Sequence, residues 1–349
     1  MDAVGLAVVG SGYWGPNLVR NALAHQMMDL RWVCDLDRAK AERVTRGLAS
    51  VRPTDELSDV LSDPRVEAIA IATPAPSHSP VALAAVDAGK HVLVEKPLAD
   101  SLVNGRLIID KAKDRDLVVM CDHTFCYTGS VIELRRLIHG DHLGAVQYFD
   151  SVRINLGLVQ SDTNVFWDLA PHDLSILDFI LPPGVVVVSV SARGSDPIGI
   201  GQACVGHASL TLSNGALAHI HVNWLSPTKV RTTIVGGSKK MVVWNDLDPA
   251  QKLSIFDTRV ELTGLDEDAR QRALVSYRIG DMVAPAINGT EALHNVMGEF
   301  AEAIRLRRQP ATGGESGLRV LAQLEAIDSS FRQDGAPVQV PEAPRGSEE

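Results

Sequence analysis

Val4-Gly5-Leu6-Ala7-Val8-Val9 runs without a charge into Gly10-Ser11-Gly12-Tyr13-Trp14-Gly15, a G-x-G-x-x-G spacing. An apolar run ended by a glycine turn reads as a buried strand that feeds a helix, here Trp14 to Ala24. Each glycine has a separate task. Gly10 makes the tight turn, Gly12 lets backbone approach a pyrophosphate, and Gly15 lets helix pack on strand. The helix N-terminus then offers free N–H groups and a partial positive charge to phosphate. Asp35 follows the last glycine by 20 residues, at the end of a second apolar run, Leu30–Cys34. Its carboxylate is placed to accept hydrogen bonds from an adenosine ribose diol and to repel a 2′-phosphate. NAD is therefore expected over NADP, with Arg38 as the counterweight, since a guanidinium there would accommodate that phosphate.

Working outward, apolar runs keep alternating with amphipathic stretches. A charged helix is expected around Arg38–Leu48, strands at Ala68–Ala72, Val92–Val94 and Leu117–Met120, and helices at Val81–Ala88 and Leu107–Lys113. Alternation of this kind predicts right-handed βαβ crossovers and a parallel sheet covered on both faces. Beyond about Asp122 the rhythm changes. Val146–Val152, Val185–Arg193, Cys204–Leu212, Ala216–Trp224, Arg231–Val235 and Lys240–Trp244 read as strands, most with no helix between them. Asn214-Gly215 and Gly236-Gly237-Ser238 are hairpin signals, so this sheet is expected to be mostly antiparallel. Two amphipathic helices follow, about Glu291–Arg307 and Glu315–Arg332. The fold class is α/β: a parallel-sheet domain over 1–122, an α+β domain with a large open sheet over 123–340, and a disordered tail over 341–349.

Composition limits the partners. The chain has 349 residues, 33 Lys and Arg against 43 Asp and Glu, and a net charge of −10. That balance argues against nucleic acid and anionic membranes, which need a basic face. No apolar run reaches the roughly 18 residues of a membrane span. Cys34, Cys121, Cys126 and Cys204 form no CxxC pair, so no disulfide framework or zinc ribbon is expected, and a reducing cytoplasm is.

Two further motifs carry chemistry. Lys96, in Glu95-Lys96-Pro97, stands at the C-terminal end of a parallel strand, where such sheets bind ligands. Pro97 biases Lys96 towards an extended backbone and so holds the ammonium in place. The alternative is an ordinary surface lysine. Asp168 and His172, in Trp167-Asp168-Leu169-Ala170-Pro171-His172-Asp173, are spaced i,i+4 and share a helix face. A carboxylate beside an imidazole orients it and raises its basicity, which suits a proton shuttle. The competing accounts make Asp168 a helix cap and His172 a core residue, or make the pair half a metal site. With no HExxH and no third ligand, no metal is expected.

The glycine motif, Glu95-Lys96-Pro97 and the Asp-x-x-x-His together resemble the glucose–fructose oxidoreductase/inositol dehydrogenase (Gfo/Idh/MocA) family. The resemblance includes Ala72-Thr73-Pro74 with His78 and the Gly313–Ser329 helix. It implies an N-terminal Rossmann domain and a C-terminal α/β domain whose open sheet builds a homodimer or homotetramer. It makes Lys96 and His172 the catalytic pair flanking nicotinamide and carbinol, with Asp168 as acidic partner. It adds Thr73, Pro74, His78 and Glu95 to the cofactor site, and sets Tyr13 and Trp14 near the nicotinamide end. Tyr13-Trp14-Gly15-Pro16-Asn17-Leu18, Asp122-His123-Thr124-Phe125 and Arg153-x-Asn155-x-Gly157 look like the family's nucleotide-sugar branch of 3-dehydrogenases and 3-ketosugar reductases. His123, Arg153, Asn155 and Gln160 are then expected to line a sugar or phosphate pocket. His219 and His221 share a strand face and read as interface or solvent residues. A free-inositol or free-sugar dehydrogenase is the alternative within the family, and a non-catalytic NAD-binding regulator the alternative outside it.

Overall fold

The run Val4–Val9 becomes β1, an inner strand with every residue buried. The computed structural model describes residues 2–157, 159–160, 163–262 and 275–341. From β1 the chain passes through α1 (Gly15–Ala24), β2 (Met28–Cys34), α2 (Arg38–Val44), β3 (Arg52–Thr54), α3 (Leu57–Ser62), β4 (Ala68–Ile71), α4 (His78–Asp87), β5 (His91–Glu95), α5 (Leu102–Lys113) and β6 (Val119–Asp122). The six strands form one sheet in the order β3-β2-β1-β4-β5-β6, and every pair is parallel. Strand order reverses between β1 and β4, which opens a crevice at the C-terminal ends of these strands. Gly10, Asp35, Thr73 and Lys96 all follow or end strands at that edge.

The second half runs through α6 (Gly129–His139), β7 (Val146–Leu156), α7 (Val165–Ile180), β8 (Val187–Ser195), β9 (Val205–Leu212), β10 (Leu217–Asn223), β11 (Leu225–Gly237), β12 (Met241–Asn245), β13 (Leu253–Leu262), β14 (Val275–Val283), α8 (Ala292–Leu306), α9 (Gly314–Arg332) and β15 (Val338–Gln339). Its nine strands are ordered β14-β13-β12-β11-β7-β10-β9-β8-β15. Among the described residues only β7 and β10 pair in parallel, so the expected mostly antiparallel sheet is present. Gly215, at φ +85°, makes the β9–β10 hairpin. Helices α7 and α9 cover the face that carries Phe149, Ala208, Leu210, Ile220 and Val222. The opposite face carries half-buried Val152, Ile154, Ile234 and Val243, together with a stack of His207 on His221 (centroids 4.1 Å) and on His219 (5.7 Å).

Helix α9 ties the two sheets together. A Cβ on Gly105 would come within 2.8 Å of Leu321 and 3.0 Å of Leu318, so α9 lies directly on α5. Glu325 accepts the Leu102 N–H at the start of α5 (2.6 Å), a favourable place for a carboxylate. This packing brings the C-terminal turns of α9 beside the Lys96 loop. Elements β3, α3, α6 and β13–β15 lie beyond those expected from the sequence. Strand β3 has three residues, one of them Pro53, and no apolar run to announce it. The expected disordered tail lies outside the described residues from 342 onward.

Candidate active site

The glycine loop meets the demands that its spacing predicts. Gly10 has φ +95°, and a Cβ there would lie 2.6 Å from the Ala72 carbonyl. A Cβ on Gly15 would strike the Gly10 carbonyl oxygen at 2.1 Å, whereas one on Gly12 would meet nothing within 4 Å. So Gly10 and Gly15 are fixed by protein, and Gly12 faces open space where a pyrophosphate fits. Helix α1 has no side-chain cap and no acid in its first turn, leaving its N–H groups to a ligand. Asp35 accepts the Ser11 N–H (2.7 Å) and hydroxyl (2.8 Å) through Oδ2, and the Asp37 N–H (2.9 Å) through Oδ1. Burial pushes its pKa up, but these bonds and Lys40 outweigh burial and hold it below the usual range. Arg38 is committed to Glu42 (3.0 Å) and Asp55 (3.4 Å), so a 2′-phosphate would compete with two carboxylates for it. These residues suit NAD. Tyr13 is 90% exposed at the loop tip. Trp14 donates its indole N–H to Asp122 (3.2 Å).

Strand β5 ends on Glu95, Lys96 follows it, and the Lys96–Pro97 peptide is cis. Glu95 accepts the Lys96 backbone N–H. Burial and the neighbouring Asp122 carboxylate raise its pKa to about 8. The Lys96 ammonium donates to the backbone carbonyl of Asp168 (2.8 Å) and reaches its Oδ1 (3.4 Å), while Trp224, between β10 and β11, donates its indole N–H to Oδ2 (2.9 Å).

This arrangement corrects one expectation. Asp168 does not orient His172. Its two oxygens meet the Lys96 ammonium and the Trp224 indole N–H, which reach it from outside α7, and His172 Nδ1 is buried with no partner among the described residues. Nor does Asp168 cap the helix. Helix α7 starts at Val165, where Asn164 Oδ1 accepts the N–H groups of Phe166 (3.0 Å) and Trp167 (3.1 Å), and Pro171 lies inside it. The imidazole of His172 meets Phe125 edge-on (5.0 Å). Burial, then the charges of Lys96, Arg153 and Arg231, drive its pKa well below 6.5, so it is neutral at pH 7 and able to accept a proton.

Three expected substrate contacts, Arg153, His123 and Asn155, sit apart from the cleft lining. Arg153 is 3% exposed and forms a two-pronged pair with Asp173 (2.9 and 3.0 Å) while stacking on Phe125 (4.4 Å). His123 is fully buried, and burial lowers its pKa to about 4. Neither is among the residues that line the cleft beside Lys96, and nor is His172; Arg153 is held by Asp173 and His123 is buried. Asn155 is half-buried with its amide against Gly157, and is not among the lining residues either. Gln160 does line the cleft. His78 is 1% exposed, its Nδ1 at 2.8 Å from the Pro97 carbonyl and its Nε2 at 2.8 Å from the Thr73 carbonyl. With both ring nitrogens on backbone carbonyls, it braces the Thr73-Pro74 loop against the Lys96-Pro97 loop.

The cleft has a volume of about 890 Å³ and opens between the Pro74–Pro76 loop, Lys96-Pro97, the start of α7 and the end of α9. Its lining holds Gln160, Asn164 and Gln202, four carboxylates (Asp100, Asp168, Glu325, Asp328) and two cations, Lys96 and Arg332. Both cations are paired, with Asp168 and Asp328. Sequence reasoning missed Ser11, Asn164 and Trp224. Ser11 and Trp224 act through contacts 24 and 56 residues away, for which local sequence has no signal. Asn164 caps the helix through N–H groups two and three residues ahead, and an Asn just before an apolar helical run is the signal that could have found it.

Two family models match the chain. Residues 4–123 fit the Gfo/Idh/MocA oxidoreductase family with NAD-binding Rossmann fold, and residues 131–243 fit a Gfo/Idh/MocA C-terminal domain. The NAD-specific scyllo-inositol 2-dehydrogenase of Bacillus subtilis (strain 168) is 27% identical over 54% of this chain, a match that spans 56% of that protein. UDP-N-acetylglucosamine 3-dehydrogenase of Acidithiobacillus ferrooxidans is 28% identical, with coverage of 74% of this chain and 76% of that one. Its solved structure aligns with TM-score 0.77 and 24% identity over 95% of this chain and 99% of that one. A levoglucosan dehydrogenase solved with NADH and L-sorbose aligns with TM-score 0.81 and 18% identity over 98% of this chain and 100% of that one.

Proposed function

The chain belongs to the Gfo/Idh/MocA oxidoreductase family, and from that premise we propose that it is an NAD-dependent dehydrogenase or reductase for a secondary alcohol or ketone of a cyclic polyol or sugar. The observation that carries this is the Lys96 ammonium seated on Asp168 at the wall of the cleft, with a neutral His172 one helical turn further along α7. Gly10, Gly12, Gly15 and the start of α1 would hold the pyrophosphate, and Asp35 the adenosine ribose. NAD supplies the hydride acceptor. In the oxidative direction His172 takes the hydroxyl proton. Lys96 donates a hydrogen bond to the same oxygen and stabilises its developing negative charge. Asp168 keeps the ammonium in place.

A nucleotide-linked sugar oxidised or reduced at its 3-position is the finer reading, supported by the relative named UDP-N-acetylglucosamine 3-dehydrogenase. One observation favours a second substrate class. The lining amides and carboxylates suit hydroxyl groups, and both lining cations are already paired, so a free inositol or free sugar fits the cleft without a bare cation for phosphate. The buried, unpaired cysteines suit a reducing cytoplasm. The apolar open face of the nine-stranded sheet suits a second copy of the chain as partner.

The test follows reduced nicotinamide absorbance with NAD and NADP over free inositols, aldoses and UDP- or dTDP-sugars. Turnover with NAD on one sugar class is expected, together with loss of about 10²–10⁴-fold in His172→Asn. No turnover on any substrate would revive the non-catalytic regulator. Full activity of both His172→Asn and Lys96→Met would sink the residue assignment.

A further inference from the structure

Trp224 joins three parts of the fold at one point. Its side chain is 1% exposed and among the largest that are fully buried. Its backbone N–H donates to the Cys204 carbonyl beside β9 (3.0 Å), and its own carbonyl accepts the Gly157 N–H at the end of β7 (3.0 Å). Its indole N–H goes to Asp168 Oδ2 (2.9 Å) on α7. A tryptophan needs only packing to be buried in a sheet. Here its one polar atom is spent on the carboxylate that also carries Lys96, although that carboxylate is itself about a quarter exposed.

We infer that Trp224 is a positioning residue for the reaction: its N–H locks the Asp168 carboxylate so that Oδ1 and the backbone carbonyl both face the Lys96 ammonium. The inference rests on the proposed roles of Lys96, Asp168 and His172. A carboxylate turns about its Cβ–Cγ bond. Held at Oδ2 by the indole, it presents Oδ1 to Lys96 at 3.4 Å, a contact weak enough for the ammonium to turn one N–H towards a reacting oxygen. Released, the carboxylate closes on the ammonium and competes with that oxygen. The element that sets the lysine is therefore the C-terminal sheet, acting through an aspartate, and not the strand on which the lysine stands.

The test is a double-mutant cycle on the full chain with NAD and the best substrate from the panel. Trp224→Phe removes the N–H. It is expected to lower kcat on the order of 10-fold, the cost of one hydrogen bond to a charged group. KM for NAD should stay within about twofold, because the glycine loop and Asp35 that would hold the cofactor are untouched, and the pH profile of kcat should move with it. In an Asp168→Asn background the same change should cost less than about twofold, since the two residues act in series. If Trp224→Phe fails to fold, 3-benzothienylalanine placed at position 224 keeps the ring shape and replaces N–H by sulfur; the same loss is expected. An equal kcat loss in both backgrounds, or no loss from either replacement while Lys96→Met is crippled, overturns the inference. Wild-type turnover in Lys96→Met instead overturns the proposed roles on which it rests.

Discussion

At the scale of single residues, a side chain's role follows from what its atoms already touch. Gly12 is the clearest case, because space for a Cβ exists there and the motif still demands glycine. Gly12→Val should leave Tm within about 1–2 °C of wild type, the small shift expected of a change away from the core. It should raise the dissociation constant for NAD on the order of 10²-fold, since the added carbons would occupy the pyrophosphate's place; calorimetric titration with NAD reads it directly. His172 gives a pH prediction. Its folded pKa lies well below 6.5, so the ring stays unprotonated, and competent as a base, down through pH 6.5. The acid limb of kcat/KM for oxidation should therefore fall below pH 6.5. A limb centred at 7 or above would contradict the neutral-base role. The glycines, Asp35 and Lys96 were legible because their spacing is local. The partners of Asp168 were not, because i,i+4 proximity names a possible neighbour and the fold offered it better ones.

Among the elements, α7 matters most, since it carries Asp168 and His172 and begins beside the cleft. Its start is set by Asn164, whose Oδ1 takes two orphan N–H groups and whose amide donates to Asp328 on α9 (3.0 Å). Asn164→Ala should cost about 1 kcal/mol and lower Tm by roughly 2–4 °C. Because the frayed turn holds Asp168, kcat should fall with it, while NAD affinity, set on β1 and β2, should not. Thermal melts and steady-state kinetics on the one variant check both halves. Had Asp168 been its cap, this helix would have begun near Pro171, a residue suited to a first turn. The observed helix starts earlier, at Val165, and tolerates Pro171 inside it. The surrounding packing, with Ala170, Leu174, Ile176 and Leu177 all buried, outweighs the lost backbone bond.

For the molecule as a whole, the region under the cleft holds charges whose burial makes stability depend on pH. His123 is depressed from 6.5 to about 4. The unfolded chain therefore binds the extra proton between those values, and its contribution is complete above pH 6.5 and lost as pH falls towards 4. Glu95 is raised from 4.5 to about 8. The folded chain holds the extra proton in that window, so its contribution is complete below pH 4.5 and lost as pH rises through 8. His123→Leu should accordingly flatten the fall of Tm between pH 7 and pH 5, and Glu95→Gln should flatten the fall between pH 6 and pH 8.5. Unchanged slopes in both would show that these groups titrate alike in the folded and unfolded chain. The sequence by itself determined the parallel sheet, the glycine turn, the acidic end of β2 and the change of rhythm near Asp122, because each is written in residues adjacent in the chain or in a strict period. The tertiary structure alone decided which charges meet. Arg153 went to Asp173 and not to a ligand, Asp168 to Lys96 and Trp224 and not to His172, and α9 back onto α5 to close the cleft. The reason is physical: local steric rules fix the elements, whereas a polar atom's partner is chosen by competition among all the groups that folding brings within about 3 Å of it.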